Sequence, residues 1–162
     1  MPAILNAELR GAREAQKDME RIVKELGGGP MLDATRDATL IVQREARQKA
    51  PVDRGLLRAS IVPEVRATTT GVEGVVGSNL QYAAAVELGS RPHWPPIDAI
   101  AGWVHRTMRG VENERSVAFL IARKISRVGT KKQPYLIPAV EMNLSRIKSL
   151  FENAVKKVIR GN

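Results

Sequence analysis

The side chains best suited to chemistry in this sequence are two histidines and a set of carboxylates. His93 lies in a proline-rich stretch and His105 in a predicted helix, and neither stands at the spacing of a catalytic triad. The sequence contains no cysteine, which excludes disulfides, thiolate nucleophiles and cysteine-based metal sites. We therefore predict no nucleophilic catalysis and no histidine- or cysteine-built metal centre.

A metal-dependent nuclease is the enzyme class that the carboxylates come closest to. Four acidic residues lie around the predicted strands: Asp53, Glu64, Glu73 and Glu87. In such a nuclease the strand after the turn would carry an acid and a lysine two residues apart, whereas Gly74 and Val75 follow Glu73. The sequence thus predicts no catalytic residue, no metal and no cofactor, and the nuclease stays open only as a third alternative.

Positive charge is concentrated in the C-terminal part of the chain. There are 26 basic and 17 acidic residues, a net charge of +9. Residues 1–90 hold 12 of each sign, and residues 91–162 hold 14 basic and 5 acidic side chains. This asymmetry favours an anionic partner, although basic residues also keep oligomers soluble. Five basic residues in and before a predicted loop are predicted to contact a partner protein or DNA: Arg123, Lys124, Arg127, Lys131 and Lys132.

Direct recognition of nucleic acid has weaker support in the sequence. Base stacking needs exposed aromatic side chains among basic ones, and the six aromatic residues lie mostly at predicted core or proline-rich positions. A helix-turn-helix over 97–128 stays open, although its connection at 109–115 exceeds the usual three- or four-residue turn. A basic DNA-binding protein is therefore the alternative function.

Length and hydropathy predict one folded domain. The chain has 162 residues, of which 43% are apolar and 27% charged. No apolar stretch approaches the roughly 18 residues of a membrane span, and residues 1–4 lack a secretory pattern. We expect synthesis in the cytoplasm and no membrane partner.

Apolar periodicity and breaker residues predict the elements. Helices are expected over 3–26, 32–49, 97–108, 116–128 and from Pro138 to near the C-terminus. Two antiparallel strands are expected over 61–66 and 72–78, the first at an edge because Pro63 has no N–H. The predicted seam of the helix at 116–128 comprises Val117, Leu120, Ile121, Ile125 and Val128. That of the last helix comprises Val140, Leu144, Ile147, Phe151, Ala154 and Val158. The apolar surface of the long terminal helices exceeds what a small sheet can cover, so these helices should pack on each other or on a second copy of the chain.

The sequence predicts specific contacts for two acidic side chains. Asp53 is expected to cap the short turn that follows it in the corner at 50–61. Glu87 is the one charge between Glu73 and Arg91. Its partner is expected to be Arg58 or Arg91, and a solvent-facing Glu87 is an equal alternative.

Three segments in this order resemble the tail-completion, or head–tail joining, family of tailed-bacteriophage neck proteins. They are the proline–acid–glycine–leucine–arginine–serine corner at 50–61, the stretch at 76–90 and the stretch at 133–139. The resemblance implies that nine residues shape the fold: Pro51, Asp53, Gly55, Arg58, Tyr82, Glu87, Gly89, Pro134 and Pro138.

The resemblance also implies a fold and a function. The expected fold is α+β, with a small antiparallel sheet and hairpin flanked by several helices, including long N- and C-terminal ones. The expected function is a non-enzymatic ring subunit, often in six copies, that joins the tail tube to the head-side connector around the DNA passage. The expected location is the neck or tail terminus of the virion. We predict one domain over 1–162, with parts 1–30, 31–96, 97–133 and 134–162.

Overall fold

A computed structural model describes residues 16–24, 28–69 and 71–160, and it shows an α+β chain. The elements are α1 (Gly29–Lys49), α2 (Leu56–Ser60), β1 (Ile61–Thr68), β2 (Gly71–Ser78), α3 (Ala83–Leu88), α4 (Ile97–Thr107), α5 (Glu114–Val128) and α6 (Leu136–Arg160). Residues 16–24 are also helical. The predicted fold class, a small antiparallel hairpin sheet with several helices, is confirmed.

The N-terminal breaks follow from glycine and proline. Residues 16–24 fall within the helix predicted over 3–26, and its remaining residues at 3–15 and 25–26 lie outside the described residues. Gly28 interrupts the helical run, and α1 starts at Gly29, three residues before the predicted start. Pro30 fits this first turn because an N–H there would have no helical acceptor. Helix α1 ends at Lys49, before Pro51, as predicted.

The described residues form two compact units, each built from separated segments. The first takes its described residues from 1–42, 63–76 and 142–162, and the second consists of 43–62 and 77–141. The four-part, one-domain organisation stays a prediction.

Close packing in the first unit depends on a glycine in β2. A Cβ on Gly74 would lie 2.6 Å from Cγ2 of Thr39 and 2.7 Å from Cγ2 of Thr35, so only glycine fits at this distance from α1. Both threonines are buried. Their hydroxyls donate to the carbonyls of Met31 and Arg36, each at 2.8 Å, which satisfies the buried polar groups.

The hairpin matches its prediction, with β1 two residues longer and β2 one residue longer than predicted. Within the described part of the chain the sheet has these two strands only, so each has one unpaired edge. Pro63 lies in β1 and is tolerated because this strand pairs on one side. Arg66 Nε donates to Glu73 Oε2 at 2.9 Å across the hairpin near its tip.

The buried faces of α5 and α6 differ from the predicted seams. Helix α5 buries Ala118 and Ala122, whereas Leu120 is 60% exposed, and Val128 is also exposed. In α6 the seam is correct for Ala154 and Val158, which are buried, and wrong for Leu144, which is 59% exposed. Val140 is exposed as well. A helix with apolar residues on two faces can bury either one, and the alanine face allows the closest approach of a neighbouring element.

Candidate assembly site

In the second unit, the carboxylate of Glu87 caps the last helix. Glu87 Oε2 accepts hydrogen bonds from the backbone N–H groups of Tyr135 and Leu136 at 2.7 and 2.9 Å, and Oε1 accepts one from Ile137 at 2.9 Å. These are the orphan donors of the first turn of α6, where a negative charge is also favoured by the helix dipole. Because these backbone groups are its partners and no ion pair joins it to Arg58 or Arg91, the expected pairing with either arginine is wrong. Glu87 is buried, so the solvent-facing alternative is wrong as well.

The carboxylate lies beside the largest fully buried side chain, Tyr135. Burial raises the pKa of the Tyr135 phenol above its usual value, and the negative charge of Glu87 raises it further. The backbone N–H of Gln133 donates to the carbonyl of Val86, the residue before Glu87, at 2.7 Å. Helix α3 and the segment 133–137 are thus joined by four hydrogen bonds.

Two glycines allow the chain to close next to this cap. Ser90 and Thr130 form an antiparallel bridge, in which each backbone N–H donates to the other carbonyl at 3.2 Å. The flanking Gly89 and Gly129 have φ of 79° and 72° with ψ of 173° and −161°, a region that is essentially restricted to glycine. A Cβ on Gly89 would lie 2.7 Å from the carbonyl oxygen of Thr130, and one on Gly129 would overlap that of Ser90. We call these four residues the glycine clamp.

The corner at 50–61 forms a groove of about 550 Å³. Its lining includes Pro51, Gly55, Tyr82 and Trp103. Asp53 is also in the lining, but it does not cap α2, because the N-cap position belongs to Gly55 and has no side-chain hydrogen bond. The predicted cap is therefore wrong.

Asp53 instead binds Arg106 of α4. Arg106 Nε donates to Oδ1 at 3.0 Å and Nη2 to Oδ2 at 2.6 Å, a bidentate pair that joins the corner to the helical insert. These hydrogen bonds hold the pKa of the Asp53 carboxyl below its ordinary value, and the charge of Arg54 acts in the same direction. The same pair raises the pKa of Arg106.

Asp53→Asn is expected to destabilise the protein at neutral pH and to have little effect in acid. Because the pKa of Asp53 is lower in the folded state, its contribution to stability is present above the unfolded-state pKa and is lost as pH falls through the folded one. Urea unfolding over a series of pH values, from 7 down through the acid range, measures this difference. The matched control is Glu152→Gln, whose exposed pair with Lys148 spans 4.0 Å. An equal loss from both variants at pH 7 would contradict the expectation.

The structure brings most of the motif residues together in the second unit. Pro134 precedes the capped turn of α6, and Pro138 lies inside it, two residues after the observed start of the helix. Tyr82 of the 76–90 segment shares the groove with the corner residues, and Glu87 joins that segment to 133–139. Arg58 is the exception, because it is exposed and lines a different groove.

The five predicted partner-contact residues lie along the end of α5 and in the loop after it. We call them the basic patch: Arg123, Lys124, Arg127, Lys131 and Lys132. All five are exposed, and none forms an ion pair with another described residue. Their charge is therefore available to a partner.

Sequence reasoning missed Arg106, Thr130 and Ser90. Asp53 and Arg106 are 53 residues apart, and no local pattern distinguishes Arg106 from the other arginines of the chain. Within 16–24, 28–69 and 71–160, no group of three or more histidine and acidic side chains lies close enough to hold a metal ion. No helix of that part is long and apolar enough to cross a bilayer.

Comparison with known proteins identifies the family. A family model described as "Bacteriophage HK97-gp10, putative tail-component" matches residues 8–89, half of the chain. The match covers the corner, the hairpin, the capping carboxylate Glu87 and Gly89 of the glycine clamp. No curated protein and no solved structure matches the chain. The chain therefore belongs to the HK97-gp10-like family of bacteriophage tail components, which makes it a structural protein of the virion.

Proposed function

We propose that this chain is the tail-completion subunit of the phage neck. Copies of it form a closed ring, six in our proposal, which joins the tail tube protein to the head-side connector protein and leaves a central passage for DNA. Membership of a family of phage tail components supports this role. The role is structural and requires no catalytic step.

The observation that carries the proposal is that the buried apolar side chains are mostly small, whereas many large apolar side chains are exposed. Among the described residues, nine of the fifteen buried apolar side chains are alanines, whereas twenty-one large apolar side chains are exposed. Exposed apolar area of this extent typically marks protein–protein contact surfaces. Assembly with like copies and neighbouring virion proteins would remove it from water.

The exposed apolar residues include members of several elements in the second unit. Val52 and Leu56 lie at the corner, Trp94 and Phe119 form an edge-to-face pair with ring centroids 5.6 Å apart, and Leu88 ends α3. A ring repeats one heterologous contact, so that one surface of each subunit covers a different surface of the next. The basic patch adds an electrostatic component suited to an acidic partner surface.

Native mass spectrometry of the full chain tests the ring. The expected spectrum contains a closed species at an integral multiple of 17.8 kDa, alone or after addition of the tail tube and connector proteins of the same phage. Deleting the gene should leave filled heads and finished tails that do not join. A monomer at every concentration that binds neither protein would refute the proposal, as would normal joining without the gene.

A further inference from the structure

We infer that a cationic groove formed by α1 and α2, which shares no residue with the basic patch, is a binding site for phosphate groups. The groove has a volume of about 410 Å³ and is lined by Gln43, Arg44, Arg47, Gln48 and Arg58. Three of the five lining residues carry a guanidinium group and the other two carry an amide. No carboxylate belongs to the lining. We call it the arginine groove.

One of the lining arginines, Arg47, is held in place by a hydrogen bond to the core. Its Nη2 donates to the carbonyl of Ile61 at 2.9 Å, and Gln43 Nε2 donates to the same oxygen at 2.8 Å. Ile61 is fully buried, so this anchor is part of the core. The Nε of Arg47 is buried and has no hydrogen-bond acceptor. The guanidinium is thus oriented by the fold without a partner that balances its charge.

Within the described ranges, no acidic residue lines the groove or forms an ion pair with its arginines. Glu45, the nearest acid along α1, pairs with Lys49 at 3.5 Å. Residues two positions apart point to different sides of a helix, which separates Glu45 from both Gln43 and Arg47. Arg44 and Arg58 are exposed and form no ion pair with a described residue. The charge of Arg47 is uncompensated and partly removed from water, which favours binding of an anion, and the exposed charges of Arg44 and Arg58 add to the attraction.

Phosphate fits these donors better than carboxylate. A carboxylate has two oxygens in one plane and can be satisfied by a single guanidinium fork. A phosphate has more acceptor oxygens, directed towards different sides, and suits several guanidinium groups supplied by two helices. The phosphate can belong to a nucleic-acid backbone or to a free oligophosphate. Our inference concerns the shared chemistry, and the experiment separates the two sources.

The test uses the full chain and compares two double variants. Arg44→Gln/Arg58→Gln removes two charges from the groove, and Arg109→Gln/Arg146→Gln removes two exposed arginines elsewhere. Fluorescence anisotropy with a short DNA duplex is measured over a salt series, with sodium tripolyphosphate and polyglutamate as further probes. The groove variant is expected to lose duplex affinity by about tenfold or more and to reduce the salt slope by about 1.8. The control is expected to change affinity by less than about twofold.

Every outcome of the test bears on the inference. Groove-dependent duplex binding supports a nucleic-acid source, and groove-dependent binding of tripolyphosphate alone supports a free oligophosphate. Equal losses in both double variants, equally groove-dependent binding of polyglutamate, or no binding of any probe would overturn it. Should the double variant unfold, Arg44→Gln alone is measured against Arg109→Gln. The inference does not rest on the neck role, because a chain that binds phosphate without joining heads to tails would refute only that role.

Discussion

Replacing Glu87 by glutamine is expected to lower the free energy of unfolding by about 2–4 kcal/mol. The carboxylate accepts three backbone hydrogen bonds at the start of α6. An amide keeps one acceptor oxygen, loses the negative charge that favours the helix N-terminus, and turns an NH₂ group towards a backbone N–H. Because the site is buried, water cannot replace the lost acceptor. Chemical denaturation followed by circular dichroism measures the loss.

The control for this variant is Glu141→Gln, which makes the same chemical change at an exposed position of the same helix. It is expected to change stability by less than about 0.5 kcal/mol. A Glu87→Gln protein as stable as this control would show that the three hydrogen bonds contribute little. Glu87→Gln is also expected to raise hydrogen exchange at the amides of 135–137, because those amides lose their acceptor.

Gly129→Ala is expected to destabilise the protein by about 3–5 kcal/mol, through two separate effects. The first is backbone strain, since φ of 72° with ψ of −161° is a conformation that alanine rarely adopts. The second is steric, because the added methyl group would overlap the carbonyl oxygen of Ser90. Relieving that overlap would break the Ser90–Thr130 bridge and its pair of backbone hydrogen bonds. The loss is measured by thermal and urea unfolding.

Gly110→Ala separates these two effects. Gly110 also has a positive φ, of 83°, but a Cβ there would meet nothing within 4 Å. It should therefore show strain alone, about 1–2 kcal/mol. Gly129→Ala and Gly110→Ala losing the same stability would mean that the overlap at the clamp is relieved at no cost, contrary to our reading of the bridge.

Local sequence features predicted the longer helices and the hairpin, but not the short helices α2 and α3. Breaker residues such as Pro51 mark element ends to within a few residues because they act through the φ angle and the N–H of single residues. The hairpin could also be predicted, because its two strand patterns are close in sequence and separated by a flexible tip. Helix α1 began earlier than predicted for an equally local reason, since proline is tolerated in a first turn.

The side-chain partners were not predictable in the same way. Glu87 had three open interpretations, and the structure selects a fourth, the backbone of residues 135–137, about 50 positions along the chain. Asp53 was expected to act locally, and it binds Arg106 instead. The resemblance included Glu87 and Gly89 among its residues, but it assigned them only a general role in shaping the fold. Their functions in the fold became visible with the residues facing them.

The order of the longer helices and the two strands, the positions of the breaks and the surplus of positive charge in 91–162 were decided by the amino-acid sequence alone. Each depends on neighbours along the chain or on simple composition. The tertiary structure decided which face of α5 and α6 is buried, which donors satisfy Glu87, and that Arg44, Arg47 and Arg58 share one groove. These outcomes depend on distances between residues far apart in sequence, and such distances are set only when the elements pack.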